Sequence, residues 1–320
     1  MDMRSDRSRV IENALGAITP DLVCFACNDW RLFASNGAKI GVRARLVDDW
    51  LGLTASTADP SPIAPAVAWP MLQFNAGIYG PTRLALSPGA CATQLRADLF
   101  IEDDADLTHL EVRVGRAFAD LQSRFHDFHK TEDSGERECP PPPAFAPAPP
   151  DATRLVHLCT DAGWPCAERV SGHVTVAIDA GSAQYQARIE SARNGGLRAV
   201  VDLIDSSAYT PASRAATGLL LLAASAVVRS VKGVVVANDD TRNAGVAAEI
   251  EALSGTAVDR ALSALTVACR LVGREAQALR DESLARQYLA YHTPELFDRS
   301  TDATSTTHNE MEESPCLQLP

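Results

Sequence analysis

Two cysteines separated by two residues, Cys24 and Cys27, form the pattern with the clearest chemical potential in the sequence. In thioredoxin-type enzymes a C-x-x-C pair lies at a helix N-terminus, which lowers the pKa of a thiol. Here the pair lies between a predicted helix and a predicted strand, and no other element of that fold is predicted. A zinc site needs four ligands, and Cys159 and Cys166 are too widely spaced to complete one. A redox or metal protein based on Cys24 and Cys27 is an alternative, but we expect no metal and no cofactor.

Other residues that could do chemistry have simpler structural explanations. His126 and His129 lie three residues apart on a predicted helix and could share a ligand, although a solvated helix end is the commoner explanation. Three carboxylate pairs lie at predicted turns or at a helix start, where Asp forms local hydrogen bonds: Asp48-Asp49, Asp103-Asp104 and Asp239-Asp240. The sequence has no G-x-S-x-G, phosphate-binding glycine loop or H-E-x-x-H motif. We therefore expect no enzyme activity and no catalytic residue.

Composition narrows the class of protein. With 320 residues, the chain is long enough for two domains with substantial cores, and 46% hydrophobic residues with a net charge of −12 predict a soluble globular protein. Nucleic acid binding is not expected, because it needs a clustered basic surface and the sequence shows none. The N-terminus lacks the apolar segment of a signal peptide, and eight cysteines in a chain of this size do not suggest a disulfide framework. We expect a cytoplasmic protein with reduced thiols.

The elements that position these residues are clearest in the second half. Residues 173–178 alternate polar and apolar side chains, as in a strand with one buried face. Turn residues separate this strand from two more, at 185–189 and 197–204. The three strands predict an antiparallel meander.

A largely apolar helix follows the meander. Thr210 suits the N-cap and Pro211 the first helical position. Residues 212–231 are predicted to form a core or interface helix rather than a membrane span, because Arg214 and Arg229 lie near its ends and the unbroken apolar run is about half of the roughly 20 residues that a span needs. Two strands at 233–237 and 244–253, and a helix with apolar residues from Val258 to Leu279, complete the half.

The first half has the same order of elements. Its strongest hairpin signal is Asn36-Gly37, between strands at 30–35 and 38–46. Pro70 weakens the prediction of a helix at 63–76. The remaining predicted elements are helices at 7–18 and 107–128 and strands at 50–55, 83–87 and 93–101.

Both halves therefore predict helix, three strands, helix, two strands and helix. The fold class is α+β, with two similar units at 1–130 and 152–292, each an antiparallel five-stranded sheet with three helices. Between them, 131–151 contains PPPPAFAPAPP, which favours polyproline II and predicts a semi-rigid linker; a docking site for a proline-binding module is the alternative. The tail 293–320 is rich in Ser, Thr, Asp and Glu and is predicted to be a disordered acidic segment.

The order of elements resembles a known family. The relevant stretches are a first helix ending at Gly163-Trp164, the strand 174–178, the strand 197–203, the apolar helix 212–231 and a closing helix through 276–279. They resemble the class I chaperones of type III secretion (the Tir-chaperone, or CesT, type) and the related bacterial YbjN-like proteins. The resemblance spans 152–292 and, more loosely, 1–130.

The resemblance implies binding rather than catalysis. Such chaperones hold an extended, unfolded segment of a partner protein across exposed sheet and helix surfaces, and an acidic surface is typical of them. A single domain of the family usually pairs with a second copy, whereas this chain carries two units. We therefore expect that the two units could form an intramolecular pseudo-dimer. The long tail also departs from the family.

Aromatic and apolar residues on the predicted strands are the candidate protein-binding residues, because large side chains dominate binding surfaces. They are Trp30, Trp50, Val174, Val176, Tyr185, Ile189 and Leu203. The expected function is a non-catalytic cytosolic protein-binding protein, chaperone-like, whose partner is an extended protein segment, without nucleic acid or membrane. The alternatives are a regulatory or scaffolding module unrelated to secretion, and the cysteine-dependent redox or metal protein.

Overall fold

The computed structural model describes residues 3–19, 21–33, 40–56, 63–87, 92–101, 109–134, 152–168, 173–181, 183–191, 197–237, 242–250 and 253–293. The chain is an α+β protein with two antiparallel sheets. The first unit contains α1 (Met3–Ile18), β1 (Val23–Ala26), β2 (Asp29–Phe33), β3 (Gly41–Val47), β4 (Trp50–Ser56), α2 (Pro65–Gly77), β5 (Thr82–Leu86), β6 (Thr93–Phe100) and α3 (Leu110–Ser134).

The second unit repeats this order and adds one helix at its end. It contains α4 (Ala152–Asp161), β7 (Cys166–Glu168), β8 (Val174–Asp179), β9 (Gln184–Ser191), β10 (Leu197–Asp205), α5 (Pro211–Val227), β11 (Val231–Ala237), β12 (Arg242–Ile250), α6 (Gly255–Ala278) and the additional α7 (Glu282–His292). The predicted caps of α5 are confirmed: the Thr210 hydroxyl accepts the Ser213 N–H, and Pro211 takes the first helical position.

The two sheets have the same topology. The strand order is β1-β2-β3-β4-β6-β5 in the first and β7-β8-β9-β10-β12-β11 in the second. The α+β class and the meander are confirmed, but each sheet has six strands where five were predicted. The additional strands, β1 and β7, are only four and three residues long. Strands this short carry too little alternation to be recognised in a sequence.

Equivalent strands of the two units pair in the same register. Gly52 lies opposite Asp98 in the first sheet, and Arg198 lies opposite Glu249 in the equivalent row of the second. This agreement of register across separate sheets supports a duplicated unit.

Helices cover one face of each sheet. Helix α3 packs on β4, β5 and β6 and against α1, while α6 packs on β8, β10, β11 and β12 and against α4. The buried apolar side chains of both units form one continuous core cluster. The core therefore runs through the junction between the units.

The units pack reciprocally through their central helices. Helix α2 of the first unit packs on β11, α5 of the second unit packs on β5, and the two helices contact each other. They approach most closely at Gly218, where a Cβ would lie 2.9 Å from the Ala68 Cβ and 3.1 Å from the Trp69 nitrogen. Glycine at position 218 is thus required for the helices to approach this closely.

Helices α3 and α7 end near the predicted boundaries of the linker and the tail. Helix α3 continues to Ser134, four residues into the predicted linker at 131–151, and the remainder of that segment lies outside the described residues. Helix α7 ends at His292, and residues 294–320 of the predicted tail at 293–320 also lie outside the described part. Within the described residues, no helix combines the length and apolarity required to cross a membrane.

Candidate functional site: the free edge and outer face of the first sheet

The junction between the units decides which sheet edges are covered. Asp98 on β6 accepts from Arg83 on β5, with Nη2 to Oδ2 at 2.5 Å, and from Arg96, with Nε to Oδ1 at 3.1 Å. The Ser230 N–H of the second unit also donates to Asp98, at 3.1 Å. Both Arg83 and Asp98 side chains are 1% exposed. Burial opposes ionisation of Asp98, but the two guanidiniums and the Ser230 N–H keep its pKa below the ordinary value.

The second unit has an equivalent cluster. Lys232 Nζ lies 2.8 Å from Glu249 Oε1, and Arg198 Nη2 lies 2.6 Å from the same oxygen. Arg83 and Lys232 are each the second residue of their strand, β5 and β11. Burial lowers the pKa of the Lys232 ammonium to about 8, although Glu249 opposes this change.

The cations of each cluster bind the end of the other unit's central helix. Arg83 Nε donates to the Ser225 carbonyl at 2.7 Å, near the end of α5. In the opposite direction, Arg198 and Lys232 both donate to the Ile78 carbonyl, at 2.7 Å, at the end of α2. The last carbonyls of a helix lack intrahelical partners and carry partial negative charge. Each unit therefore caps a helix of the other with buried positive charge.

This packing covers the edge strands β5 and β11. Asn75 on α2 lies between them: its Nδ2 donates to the carbonyls of Leu84 on β5, at 3.0 Å, and Gly233 on β11, at 3.1 Å. The opposite edges, β1 and β7, pair with only one neighbouring strand each. The described structure thus has two sheet edges that are not covered by the other unit.

Strand β1 is exposed along its whole length. Val23 is 43% exposed and Phe25 63% exposed, which is unusual for large apolar side chains on an edge strand. The register shifts between Cys24 and Ala26, so Phe25 lies at a bulge. An edge with free backbone groups and exposed apolar side chains is suited to contact an extended polypeptide.

A row of arginines crosses the outer face of the first sheet, which is the face opposite α1 and α3 and is covered by α5 only at the β5 end. Val23 on β1 lies opposite Arg31, and Arg31 lies opposite Arg43. The row continues through Thr54 to Arg96 and Arg83, and Arg45 lies in the next row, opposite Asp29. Arg31, Arg43 and Arg45 are exposed. No basic cluster is visible in the sequence, because these residues are brought together only by strand pairing.

The charges on this face are only partly balanced. Arg43 binds Asp29 with two hydrogen bonds, Nε to Oδ1 at 2.9 Å and Nη2 to Oδ2 at 2.5 Å. The hydrogen bonds from Arg43 keep the pKa of the Asp29 carboxyl below its ordinary value. Arg31 and Arg45 form no ion pair within the part of the chain that the structure describes. This face therefore carries excess positive charge on a protein of net charge −12.

The position of Arg31 is set by its neighbours. Its guanidinium lies 5.5 Å from the centre of the Phe33 ring. A Cβ at Gly41 on β3 would lie 3.4 Å from Arg31 Nε, at van der Waals contact, so the Arg31 side chain extends across the sheet toward β3. Arg31 is thereby held on the face rather than extended into solvent.

The equivalent face of the second sheet is different. The matching row reads Thr175, Arg188, Val200, Ala247 and Lys232. Arg188 is balanced by Glu190 at 3.0 Å and Asp202 at 3.5 Å. Val200 and Ala247 are buried against Ala76 of α2. The excess of positive charge thus belongs to the first unit.

Most of the predicted protein-binding residues lie in the core, which corrects their assignment to a binding surface. Trp30, Val174, Val176 and Ile189 are 0% exposed and Leu203 is 5% exposed. They face the helices, because the apolar half of each alternating strand pattern is the half that packs. A partner cannot reach these five side chains in this structure.

The other two candidate residues, Trp50 and Tyr185, are half-buried. Tyr185 packs beneath α6, where a Cβ at Gly273 would lie 2.3 Å from the tyrosine hydroxyl oxygen. Trp50 lies on the outer face of the first sheet, with its ring centre 5.0 Å from that of Phe100. Of the seven predicted residues, Trp50 alone adjoins the face described above.

The structure also places the residues with redox or metal potential. Cys24 lies on β1, and Cys24 and Cys27 are both exposed free thiols. Cys159 and Cys269 are buried, and burial raises the pKa of each thiol to about 12. No group of three or more potential metal ligands occurs among the residues that the structure describes. His126 and His129 lie within α3.

Only one of the three predicted carboxylate pairs lies within the described residues. Asp48-Asp49 forms the β3–β4 turn, with Asp48 at a φ of 55° and Asp49 bound to Arg7. The other two pairs, at 103–104 and 239–240, lie outside the described residues.

Compared with known proteins, the chain matches no family model, no curated protein and no solved structure.

Proposed function

We propose that the chain is a non-catalytic protein-binding protein, similar to a chaperone, that holds an extended segment of a partner at strand β1. One observation carries the proposal: the junction covers one edge of each sheet and leaves β1 exposed, with Val23 and Phe25 uncovered. An extended peptide can add to such an edge through main-chain hydrogen bonds, while the apolar side chains provide contact area.

The two units act in this proposal as an intramolecular pseudo-dimer. Support comes from the equivalent ion clusters and from the reciprocal contacts of α2 with β11 and α5 with β5. The family that the sequence resembles pairs two copies of one domain, and this chain would combine both in one polypeptide. Free thiols at Cys24 and Cys27 fit a reducing compartment, so we place the protein in the cytoplasm.

The test uses the full chain and two labelled synthetic peptides. One alternates serine and valine over twelve residues, and the other has proline in place of two central valines, which removes two main-chain donors. We expect the first peptide to raise fluorescence anisotropy and to slow amide exchange at residues 23–26, and the second to do neither. Absence of exchange protection at β1 with any strand-forming peptide would overturn the proposal.

A matched pair of variants localises the site. The V23T/F25T variant keeps strand-forming residues but removes the exposed apolar side chains from β1. The V267T/L271T variant removes apolar side chains that are 47% and 49% exposed on α6. Only the first should weaken peptide binding. Light scattering should give a monomer of 34.1 kDa, as an intramolecular pseudo-dimer requires.

A further inference from the structure

We propose that the segment bound at β1 is acidic, and that Arg31, Arg43 and Arg45 on the outer face of the first sheet recognise its carboxylates. This inference rests on the proposed binding at β1 and names the chemistry of the partner. Its basis is the juxtaposition of an uncovered edge strand with a row of arginines that begins on the neighbouring strand.

Arg31 lies within reach of an added strand. Neighbouring strands are about 4.8 Å apart, so a segment paired to β1 would run roughly 10 Å from the β2 backbone that carries Arg31. Arg31 lies in the same row as Val23, and therefore points to the same face as alternate side chains of the added strand. Extended arginine and glutamate side chains together span this distance from Arg31. Arg43 and Arg45 lie on β3, roughly 14 Å from the added strand, so their charges attract its carboxylates at longer range.

The charge of the face is available for a ligand. Arg83 and Arg96 are occupied by Asp98, and Arg43 binds Asp29, while neither Arg31 nor Arg45 forms an ion pair in the described ranges. Arg45 lies opposite Asp29 and its charge also helps to lower the pKa of that carboxyl. A guanidinium presents a planar pair of donors that fits a carboxylate. Bound carboxylates would therefore gain partners without displacing an existing ion pair of Arg31 or Arg45.

The present position of Arg31 shows what binding would require. Its side chain lies beside Gly41 on β3, with the guanidinium 5.5 Å from the centre of the Phe33 ring, so it turns toward β1 to meet an added strand. Because Arg31 forms no ion pair in the described residues, this turn breaks none. In the second sheet, Thr175 takes the place of Arg31 and Arg188 is neutralised by two carboxylates. The preference for acidic segments would thus come from the first unit.

The same face could attract a nucleic acid, but the structure favours a polypeptide. Main-chain donors and acceptors of β1 lie beside the arginines, and a peptide strand can use both sets whereas a polynucleotide uses the arginines alone. The net charge of −12 also repels a long polyanion more than a short acidic segment.

The experiment compares three labelled twelve-residue peptides in which valine alternates with glutamate, serine or lysine. At 50 mM salt we expect the glutamate peptide to bind the full chain about tenfold more tightly than the serine peptide, as two exposed charge contacts predict. The lysine peptide should bind more weakly than both. The preference for glutamate should shrink at 300 mM salt.

Variants then separate the two proposals. R31Q/R45Q should remove the preference for glutamate without changing the affinity for the serine peptide, whereas R270Q, on the exposed surface of α6, should change neither. If the serine peptide slows amide exchange in β1 but the glutamate peptide binds no more tightly, this inference fails and the proposed function stands. If no peptide slows amide exchange in β1, the inference and the proposed function both fail. If a twelve-nucleotide oligothymidylate binds more tightly than the glutamate peptide and depends on Arg31 and Arg45, the face belongs to nucleic acid and the inference is overturned.

Discussion

Arg83 of the first unit and Lys232 of the second occupy equivalent positions, and each donates to the backbone of the other unit. Arg83 Nε donates to the Ser225 carbonyl at 2.7 Å, and Lys232 Nζ donates to the Ile78 carbonyl at 2.7 Å. Both cations are almost fully buried, and both have a carboxylate beside them. The junction between the units therefore depends on charge and hydrogen bonding as well as on apolar packing.

The first prediction concerns the buried pair of Arg83 and Asp98. Asp98→Asn leaves the Arg83 guanidinium buried with no carboxylate beside it in the described structure, so we expect a loss of about 3–5 kcal/mol in the free energy of unfolding. Asp29→Asn breaks an Arg–Asp contact of the same length, 2.5 Å, whose arginine side chain is 62% exposed. It should cost at most about 1 kcal/mol. Urea denaturation measures the loss in the free energy of unfolding for each variant. Equal losses would contradict the prediction that burial makes the Arg83–Asp98 pair the costlier one to break.

The second prediction concerns pH. Burial lowers the pKa of Lys232 from 10.5 to about 8, so between these values the unfolded chain binds more protons than the folded chain. Stability should therefore rise with pH across this window, by roughly 3 kcal/mol for the full shift. Urea denaturation gives the free energy of unfolding of the wild type and of Lys232→Met at pH 7 and at pH 10. The other groups titrate in both proteins, so the difference between their two pH-dependent changes isolates the effect of Lys232. Parallel changes in the two proteins would show that Lys232 has an ordinary pKa.

The third prediction concerns the crossing of α2 and α5. Gly218→Ala places a Cβ 2.9 Å from that of Ala68, and overpacking of this kind costs about 1–3 kcal/mol. Gly115→Ala is the matched control, because no atom lies within 4 Å of its added Cβ on helix α3. That substitution should stabilise by about 0.5–1 kcal/mol through helix propensity. Thermal unfolding should shift in opposite directions for the two variants.

The fourth prediction concerns thiol reactivity. A maleimide applied to the native protein at pH 7.5 should label Cys24 and Cys27 within minutes, because both are exposed. Cys159 and Cys269 should remain unlabelled until the chain unfolds, because burial raises the pKa of each to about 12. Mass spectrometry of tryptic peptides reads each site. Slow labelling of Cys24 and Cys27 together with stoichiometric zinc in the purified protein would instead support the metal alternative.

Much of the fold could be predicted from the sequence. Alternation predicts the meander β8–β9–β10, Thr210 and Pro211 predict the start of α5, and the repeated order of elements predicts two related units. Helix α2 forms despite Pro70, which removes only one of the helical backbone donors while the helix packs between the units. Tertiary packing outweighs the local penalty there.

The candidate site could not be predicted in the same way. A two-residue turn at Asn36-Gly37 would place Arg31 opposite Val42, whereas the structure pairs Arg31 with Arg43. A shift of one residue moves side chains to the other face, so the arginine row is hidden until the register is known. Arg83, Arg198 and Lys232 likewise resemble solvent-facing strand residues in the sequence. Their backbone acceptors lie in the other unit, more than a hundred residues away.

The reciprocal capping of α2 and α5 has a consequence for synthesis on the ribosome. Arg83 and its acceptor at Ser225 are 142 residues apart in the chain. At 5–20 residues per second, the first unit emerges on the order of ten seconds before the segment that covers it. During that interval the charged groups of β5 and β6 and the end of α2 remain hydrated and uncapped. The nascent first unit therefore remains incomplete until the second half of the chain emerges, and that emergence closes the shared core.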